Sequence, residues 1–274
     1  MSDEVLSPEG AEVEARDPRR WLILAVMSLG TLIVFLDLTV VNTALPAISV
    51  DLGASTSELQ WIVDAYVLVL AGLLMFAGSV GDRFGRKRWM TFGLLVFGAG
   101  SVIGALARDV PMLLIGRATQ GLGAAFVLPA TLSIVTNTFQ RDERGKAIAV
   151  WTAVGGMGIG LGPAVGGFLV DQWNWAAAFW IHIPIIALAL VGQVVVKESR
   201  DERDIGLDVP GAITATLGIS TLVCLTGDHY DDLIRIAPQK LANGTEMWLL
   251  AHPDLRDTAP VLSPIPLSEP TSPY

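Results

Sequence analysis

Seven long apolar runs constrain the fold of this chain more than any other feature of its sequence. Each is close to the roughly 20 residues that a helix needs to cross about 30 Å of hydrocarbon. Inside a bilayer only helices and closed barrels satisfy every backbone hydrogen-bonding group internally, so the runs predict an all-α integral membrane protein. The predicted spans cover residues 21–44, 59–80, 89–107, 111–135, 147–170, 176–196 and 209–226.

The composition agrees with a membrane protein. Of 274 residues, 52% are hydrophobic and 16% are charged, which is more apolar and less charged than a typical soluble domain. The first apolar run is longer than the core of a signal peptide, and a mostly acidic segment precedes it, so we expect it to stay as a span. Residues 209–226 are the weakest candidate for a membrane span, because Pro210 lies near the start of the run and several Ser and Thr residues follow.

The positive charges predict the orientation of the chain. Thirteen Lys and Arg residues lie in the N-terminal segment and in the loops after the second, fourth and sixth runs, whereas the other loops contain only Arg108. Since positively charged loops stay in the cytoplasm, the N-terminus is predicted to be cytoplasmic and the protein to lie in the cell inner membrane. The predicted regions are a cytoplasmic tail (1–20), a six-span bundle (21–196), a cytoplasmic loop (197–208), a seventh span (209–226) and a soluble or disordered tail (227–274).

Three ionisable side chains, Asp37, Asp64 and Arg117, lie inside the apolar runs. Asp37 lies roughly 24 Å from the cytoplasmic start of its span, and the other two lie roughly 8–9 Å from the outer starts of theirs. All three therefore fall at a similar depth. A charge in hydrocarbon costs at least about 2.5–3.5 kcal/mol, so such residues normally face a bundle interior, pair with each other or line a water-filled path. We expect proton or substrate handling; the alternative is a static ion pair.

The fifth run is rich in glycine. Gly158, Gly162 and Gly166 recur every four residues, which places bare backbone along one helix face and allows a neighbouring helix to approach closely. Pro163 removes a backbone donor and predicts a bend at that point. Tight packing alone is the alternative explanation for a glycine-rich span, but the adjoining Gly-Pro and Gly-Gly pairs make this pattern more specific.

Four motifs give the chain a family resemblance. Residues 78–88, Gly-Ser-Val-Gly-Asp-Arg-Phe-Gly-Arg-Lys-Arg, resemble the signature between spans 2 and 3 of the major facilitator superfamily. Residues 113–121 resemble its span 4 motif, and residues 158–167 resemble its antiporter motif. Residues 36–46 are similar to the span 1 motif of drug:proton antiporters, especially the fourteen-span branch. The four motifs occur in the family's order, and the resemblance covers roughly residues 20–226.

This resemblance implies a transporter rather than an enzyme. The implied function is multidrug efflux coupled to the proton motive force, with hydrophobic or cationic small-molecule drugs as substrates and no bound cofactor. By the same resemblance, Arg117 is linked to proton translocation and Asp37 to coupling or substrate, while Asp64 matches a less general position. His182 stands where such transporters often have asparagine, and we expect a packed or interfacial role for it in preference to a proton site.

The resemblance also implies roles for two groups of residues. Asp82 with Arg83 and Arg86 would form a latch at the cytoplasmic gate. The proline bend and glycines of the fifth span would limit proton leak. The implied gate loop comprises Gly78, Asp82, Arg83, Gly85, Arg86 and Lys87, and the implied antiporter motif comprises Gly158, Gly162, Pro163, Gly166 and Gly167.

Such transporters have two six-span bundles around a midplane site, and this sequence supplies one bundle plus a seventh span. Two interpretations stay open: transport together with a second copy or a separate half-transporter, or a truncated or fused product that is inactive alone. Residues 241–261 resemble the end of the effector-binding domain of LysR-type transcriptional regulators. A remnant of that size buries no core and contains no DNA-reading helix, so we expect no nucleic-acid partner.

Overall fold

A computed structural model describes residues 17–200, 234–240 and 246–251 of the chain. The chain divides into two compact units, Met1–Ile213 and Thr214–Tyr274. The first unit contains the helices and the second contains a β-hairpin.

The helices of the first unit follow one another with short connections. Within the described residues, six are long and apolar enough to cross a membrane, by length and composition, which confirms the first six predicted spans. The predicted seventh span, 209–226, lies outside the described residues. The helices are α1 (Arg20–Leu52), α2 (Thr56–Phe84), α3 (Arg86–Ala105), α4 (Val110–Thr138) and α5 (Arg141–Gln172), followed by α6 (Ala177–Trp180), α7 (His182–Gly192) and a 3-10 turn (Gln193–Val195) that together make the sixth span.

Helix ends are set by local capping. At the start of α2, the Ser55 hydroxyl accepts a hydrogen bond from the Glu58 amide, and the Glu58 carboxylate accepts one from the Ser55 amide at 2.8 Å. This reciprocal capping box satisfies two amides that a helix leaves free. Asp109 caps α4 with a single side-chain hydrogen bond, which it accepts from the Met112 amide at 2.8 Å. Gly53 caps the C-terminal end of α1 with a φ of 65°, a left-handed conformation that lets the chain turn tightly into α2.

Glycines let two helix pairs approach closely. Between α3 and α4, a Cβ atom added at Gly100 would lie 2.6 Å from the backbone nitrogen of Gln120, and one at Gly123 would lie 2.5 Å from that of Phe97. Residues with side chains would therefore force α3 and α4 apart. The close approach brings polar groups on α3 within reach of the side chains on α4. The pair formed by α1 and α5 uses the glycines of the fifth span.

The outer surface of the bundle is apolar. Large hydrophobic side chains on several helices are exposed, among them Leu95, Ile115, Met157, Phe168 and Leu188. A monomeric soluble protein rarely exposes so continuous an apolar surface. In a bilayer these side chains contact lipid, so the polar residues of interest are those that the helices enclose.

The second unit contains two strands, β1 (Ile234–Lys240) and β2 (Glu246–Ala251), which pair in antiparallel fashion. The register is irregular between Arg235 and Ala237. This hairpin was not part of the predicted fold class, because neither strand contains an apolar run long enough to span a membrane. The Ser/Pro-rich end of the predicted tail lies outside the described residues.

Candidate functional site

The bundle encloses an ion pair between α1 and α4. Nη1 of Arg117 lies 2.7 Å from Oδ2 of Asp37, and the two side chains are 1% and 0% exposed. Both residues were singled out in the sequence because each is a charge within an apolar run. They are 80 residues apart in the chain, and the fold brings their side chains together.

The guanidinium of Arg117 has further partners. Its Nη1 also donates to Oε1 of Gln120 at 2.8 Å, and its Nε donates to the backbone carbonyl of Ile62 at 3.0 Å. The centre of the guanidinium lies 4.5 Å from the ring centroid of Tyr66, which gives a cation–π contact on the same side of α2. Three helices, α1, α2 and α4, therefore hold this one cation.

The second oxygen of Asp37 extends the network to α3 and α7. Nε2 of Gln120 donates to Oδ1 of Asp37 and to the hydroxyl of Ser101, each at 3.0 Å. Nε2 of His182 lies 3.7 Å from the same Oδ1, within ion-pair range but beyond hydrogen-bond distance. His182 is fully buried and its ring packs edge-on against Phe97, as a packed role predicts. Five of the six spans thus contribute to one polar cluster.

One added proton would change the charge balance of this cluster. A buried ion pair is maintained by mutual attraction, and removal of one charge leaves the other uncompensated at a cost of about 3–5 kcal/mol. A proton on Asp37 would cancel its charge, after which Arg117 would keep only the neutral acceptors on Ile62 and Gln120. Protonation would therefore weaken the link between α1 and α4, while the bonds of Arg117 to Ile62 and Gln120 would stay.

Asp64 lies outside the cluster. Ile62 and Tyr66, which are four residues apart, share the buried face of α2 that meets Arg117. A residue midway between them points to another side of a helix, and Asp64 is half-buried there. No cation within the described part of the chain lies at ion-pair distance from Asp64. The similar depth of the three charges was therefore insufficient to predict which of them meet.

The predicted gate loop forms a compact turn between α2 and α3. Oδ1 of Asp82 accepts from Nε of Arg86 at 2.6 Å and from the Ser133 hydroxyl of α4 at 3.2 Å. Arg83 instead lies over the ring of Phe84, 5.5 Å from its centroid. Among the described residues Asp82 therefore contacts Arg86 and Ser133, and the latch role of Asp82, Arg83 and Arg86 stays a prediction.

Glu198 was missed by the sequence analysis. Its carboxylate accepts from the backbone amides of Lys87 at 3.0 Å and Arg88 at 3.2 Å. These amides belong to the first turn of α3, where a negative charge is favourable because the helix dipole places partial positive charge there. In the sequence Glu198 stands among the mixed charges of a predicted cytoplasmic loop, and such a setting gives no signal of a specific contact.

Two further contacts and a glycine support the Glu198 cap. The amide of Arg86 donates to the Ser199 carbonyl at 2.9 Å, and Nζ of Lys87 donates to the Val196 carbonyl at 2.8 Å. Gly85 has a φ of 114°, which side-chain-bearing residues rarely adopt, and a Cβ added there would lie 2.9 Å from the Glu198 carboxyl carbon. Of the implied gate residues, Gly78 packs near Pro129, where an added Cβ would meet the proline at 3.5 Å.

The glycines of the antiporter motif divide between two sides of α5. Gly158, Gly162 and Gly166 are buried and face α1, whereas Pro163 and Gly167 are exposed. A Cβ at Gly158 would lie 3.0 Å from the carbonyl of Leu32. The helix is continuous from Arg141 to Gln172, through the proline.

Two threonines of α1 enter this glycine face. Added Cβ atoms at Gly162 and Gly166 would overlap the hydroxyls of Thr39 and Thr43. The Thr39 hydroxyl also donates to the Gly158 carbonyl at 3.4 Å. Thr39 is two residues from Asp37, so the glycine face supports the helix that bears the buried carboxylate.

Comparisons with known proteins identify similar sequences and folds. Residues 27–238 match the family model described as Major Facilitator Superfamily. The puromycin resistance protein pur8 of Streptomyces alboniger is 40% identical over 217 residues, which cover 78% of this chain and 43% of that protein. The multidrug efflux pump LfrA of Mycolicibacterium smegmatis is 41% identical over 196 residues, which cover 70% of this chain and 39% of the pump. The chain therefore spans less than half the length of these relatives.

A solved structure shares the fold. The proton:xylose symporter XylE aligns with a TM-score of 0.57 and 19% sequence identity, over 76% of this chain and 51% of the symporter. At this identity the likeness concerns the arrangement of helices alone.

Proposed function

This chain belongs to the major facilitator superfamily, and we propose that it forms the N-terminal bundle of a proton-coupled multidrug exporter in the cytoplasmic membrane. The observation that carries the proposal is the fully buried Asp37–Arg117 pair inside a bundle related to drug-resistance and efflux proteins. A charge pair in this position is costly to bury and marks a site where protons or ions are handled.

In the proposed mechanism, Asp37 accepts a proton and thereby releases Arg117 from the ion pair. Arg117 keeps its bonds to Ile62 and Gln120, so it stays in place while Asp37 becomes neutral. A cationic drug and a proton would then be alternative partners of the same carboxylate. Competition for one carboxylate couples drug release to proton uptake without a resident cofactor.

We propose that the N-terminus is cytoplasmic, on the basis of the thirteen-to-one distribution of Lys and Arg between the two sets of loops. In this orientation the Asp82–Arg86 pair and the Glu198 cap lie at the cytoplasmic face. The Asp37–Arg117 pair would lie in the outer half of the membrane, nearer to the exterior than to the cytoplasm.

We further propose that a second bundle completes the transport cavity, either from a separate half-transporter or from a second copy of the chain. Members of this superfamily bind substrate between two halves that move against each other. The span 1 motif around Asp37 favours the fourteen-span branch for the complete transporter. Residues 241–261 are proposed to derive from a LysR-type regulator, and reading the downstream DNA in all frames tests this. The rest of a regulator there supports a fusion, and the remaining spans out of frame support a frameshift.

Dye export from an efflux-deficient bacterial host tests the proposed function. The chain is expressed alone and together with the C-terminal half of the puromycin resistance relative, and ethidium accumulation is followed with and without a protonophore. We expect protonophore-sensitive export in at least one of the two conditions, loss of that export in Asp37→Asn, and its retention in Asp64→Asn.

Asp64→Asn is a matched control because it removes the same charge at a similar depth but away from the ion pair. Full export by Asp37→Asn would contradict the proposal. So would the absence of export in both expression conditions when the chain is present in the membrane at normal levels.

A further inference from the structure

A cavity of about 650 Å³ opens on the side of the bundle that is predicted to face the cytoplasm. Four segments surround it: the start of α1, the end of α4, the start of α5 and the residues that follow the 3-10 turn. The cavity is far from the Asp37–Arg117 pair, none of whose residues lines it. Its role is therefore separate from the proposed proton site.

Two arginines in the cavity wall lack compensating charges. No carboxylate of the described residues lies within ion-pair distance of Arg141 or Arg144. Two acids near the cavity contact other cations: Oε2 of Glu143 lies 2.9 Å from Nε of Arg20, and Oδ2 of Asp17, in the cavity wall, lies 3.7 Å from Nζ of Lys197. Among the residues that line the cavity, Asp17 contacts Lys197, so Arg141 and Arg144 are left without a carboxylate in the wall.

Arg144 is also short of hydrogen-bond acceptors. Its Nε is buried and has no hydrogen-bond partner among the described residues, and its Nη2 reaches only the Phe139 carbonyl at 3.5 Å. A buried donor without an acceptor destabilises a protein unless a ligand satisfies it. The guanidinium presents several donors in a planar fork, and phosphate oxygens match that fork. The N-terminus of α5 adds partial positive charge at the same place.

The remaining lining is mixed in polarity. Ile23, Ile134, Phe139 and Val196 give the cavity an apolar side, and Asn137 and Thr138 give it neutral polar groups. The two unpaired arginines can bind a phosphate group, and the apolar wall beside them can contact a hydrocarbon chain attached to that phosphate. The position at the end of the spans places the cavity at the level of lipid headgroups.

We propose that this cavity binds a phosphate-bearing anion, and that Arg141 and Arg144 are the residues that hold it. The phosphate can come from an anionic phospholipid headgroup or from a soluble phosphate ester, since both present the same oxygens. A bound phosphate would pair with the two arginines of α5 and lie against the ends of α1 and α4 that line the cavity. It would thereby stabilise the cytoplasmic end of the bundle, whether or not the chain exports drugs.

Native mass spectrometry of the purified full-length chain tests this site. The probes are phosphatidylglycerol, phosphatidylcholine as a lipid without net charge, and glycerol 3-phosphate. We expect phosphatidylglycerol to bind more tightly than phosphatidylcholine, and Arg141→Gln/Arg144→Gln to weaken that binding at least about tenfold. Lys146→Gln is the matched control, because it removes an exposed positive charge from the same helix without changing the cavity wall.

The outcomes separate the two sources of phosphate. Binding of phosphatidylglycerol without glycerol 3-phosphate supports a lipid site, and binding of both supports a site for the phosphate group itself. Equal binding by the double variant and Lys146→Gln would overturn the proposal. Arg141→Gln alone keeps the test valid if the double variant misfolds, since Arg141 is exposed and its replacement should leave the helix intact.

Discussion

The Asp37–Arg117 pair makes a quantitative prediction about stability. Asp37→Asn removes the negative charge but keeps the shape of the side chain, so Arg117 stays buried with two neutral acceptors, the Ile62 carbonyl and Gln120 Oε1. Arg117→Met leaves Asp37 with the single amide donor of Gln120. Because each change leaves an uncompensated buried charge, each should lower the free energy of unfolding by about 3–5 kcal/mol.

The double variant Asp37→Asn/Arg117→Met should be less damaging than the sum of the two single changes. With both charges removed, no buried ion lacks a partner, so the remaining loss comes from packing and from the polar contacts of Gln120. We expect a coupling free energy of at least about 2 kcal/mol, at the upper end of values for residues in one hydrogen-bonded network.

Equilibrium unfolding of the purified chain in detergent, followed by helical circular dichroism, measures the four free energies. Asp64→Asn serves as the control, because Asp64 has no ion-pair partner among the described residues and should change stability by less than about 1 kcal/mol. Additive effects of the two substitutions would refute the view that Asp37 and Arg117 stabilise each other. A loss in Asp64→Asn as large as in Asp37→Asn would refute it as well.

Two other contacts give predictions of their own. Glu198→Ala removes the acceptor for the first amides of α3 and should cost about 0.5–2 kcal/mol of unfolding free energy, measured by thermal denaturation, whereas Lys197→Ala next to it should cost less. Gly162→Leu places a side chain where Thr39 lies and should separate α1 from α5. Cysteine crosslinking between those helices should then fall well below its level in Gly160→Leu, whose position is open in the structure; equal crosslinking would contradict the assigned contact.

The sequence predicted the first six spans because a bilayer imposes a single rule, namely that a crossing segment is apolar and helical. It also identified Asp37 and Arg117, because a charge in hydrocarbon is rare enough to be informative. The same signal marked Asp64, which the structure places apart from the pair. Depth along a helix can be counted in a sequence, but the direction in which a side chain points among neighbouring helices depends on their packing.

The sequence could not identify the groups that contact the Asp37–Arg117 pair, because those contacts also depend on helix packing. The Ile62 carbonyl is a backbone group that every residue has, and Ser101 is an ordinary small polar residue within a span. Their importance comes only from the close approach of α2 and α3 to α4. Glu198 was equally hidden, since its role depends on the loop after the sixth span returning to the start of α3.

The threonine contacts on the glycine face of α5 also determine how α1 can move. Thr39 and Thr43 are four residues apart, as are Gly162 and Gly166, and four residues correspond to about 6 Å along a helix. Matched spacing of this kind fixes the register of the two helices, because a shift of either by less than a full step drives the threonine side chains into the backbone of α5. Sliding between α1 and α5 is therefore blocked, and a displacement of α1 along its axis has to carry α5 with it.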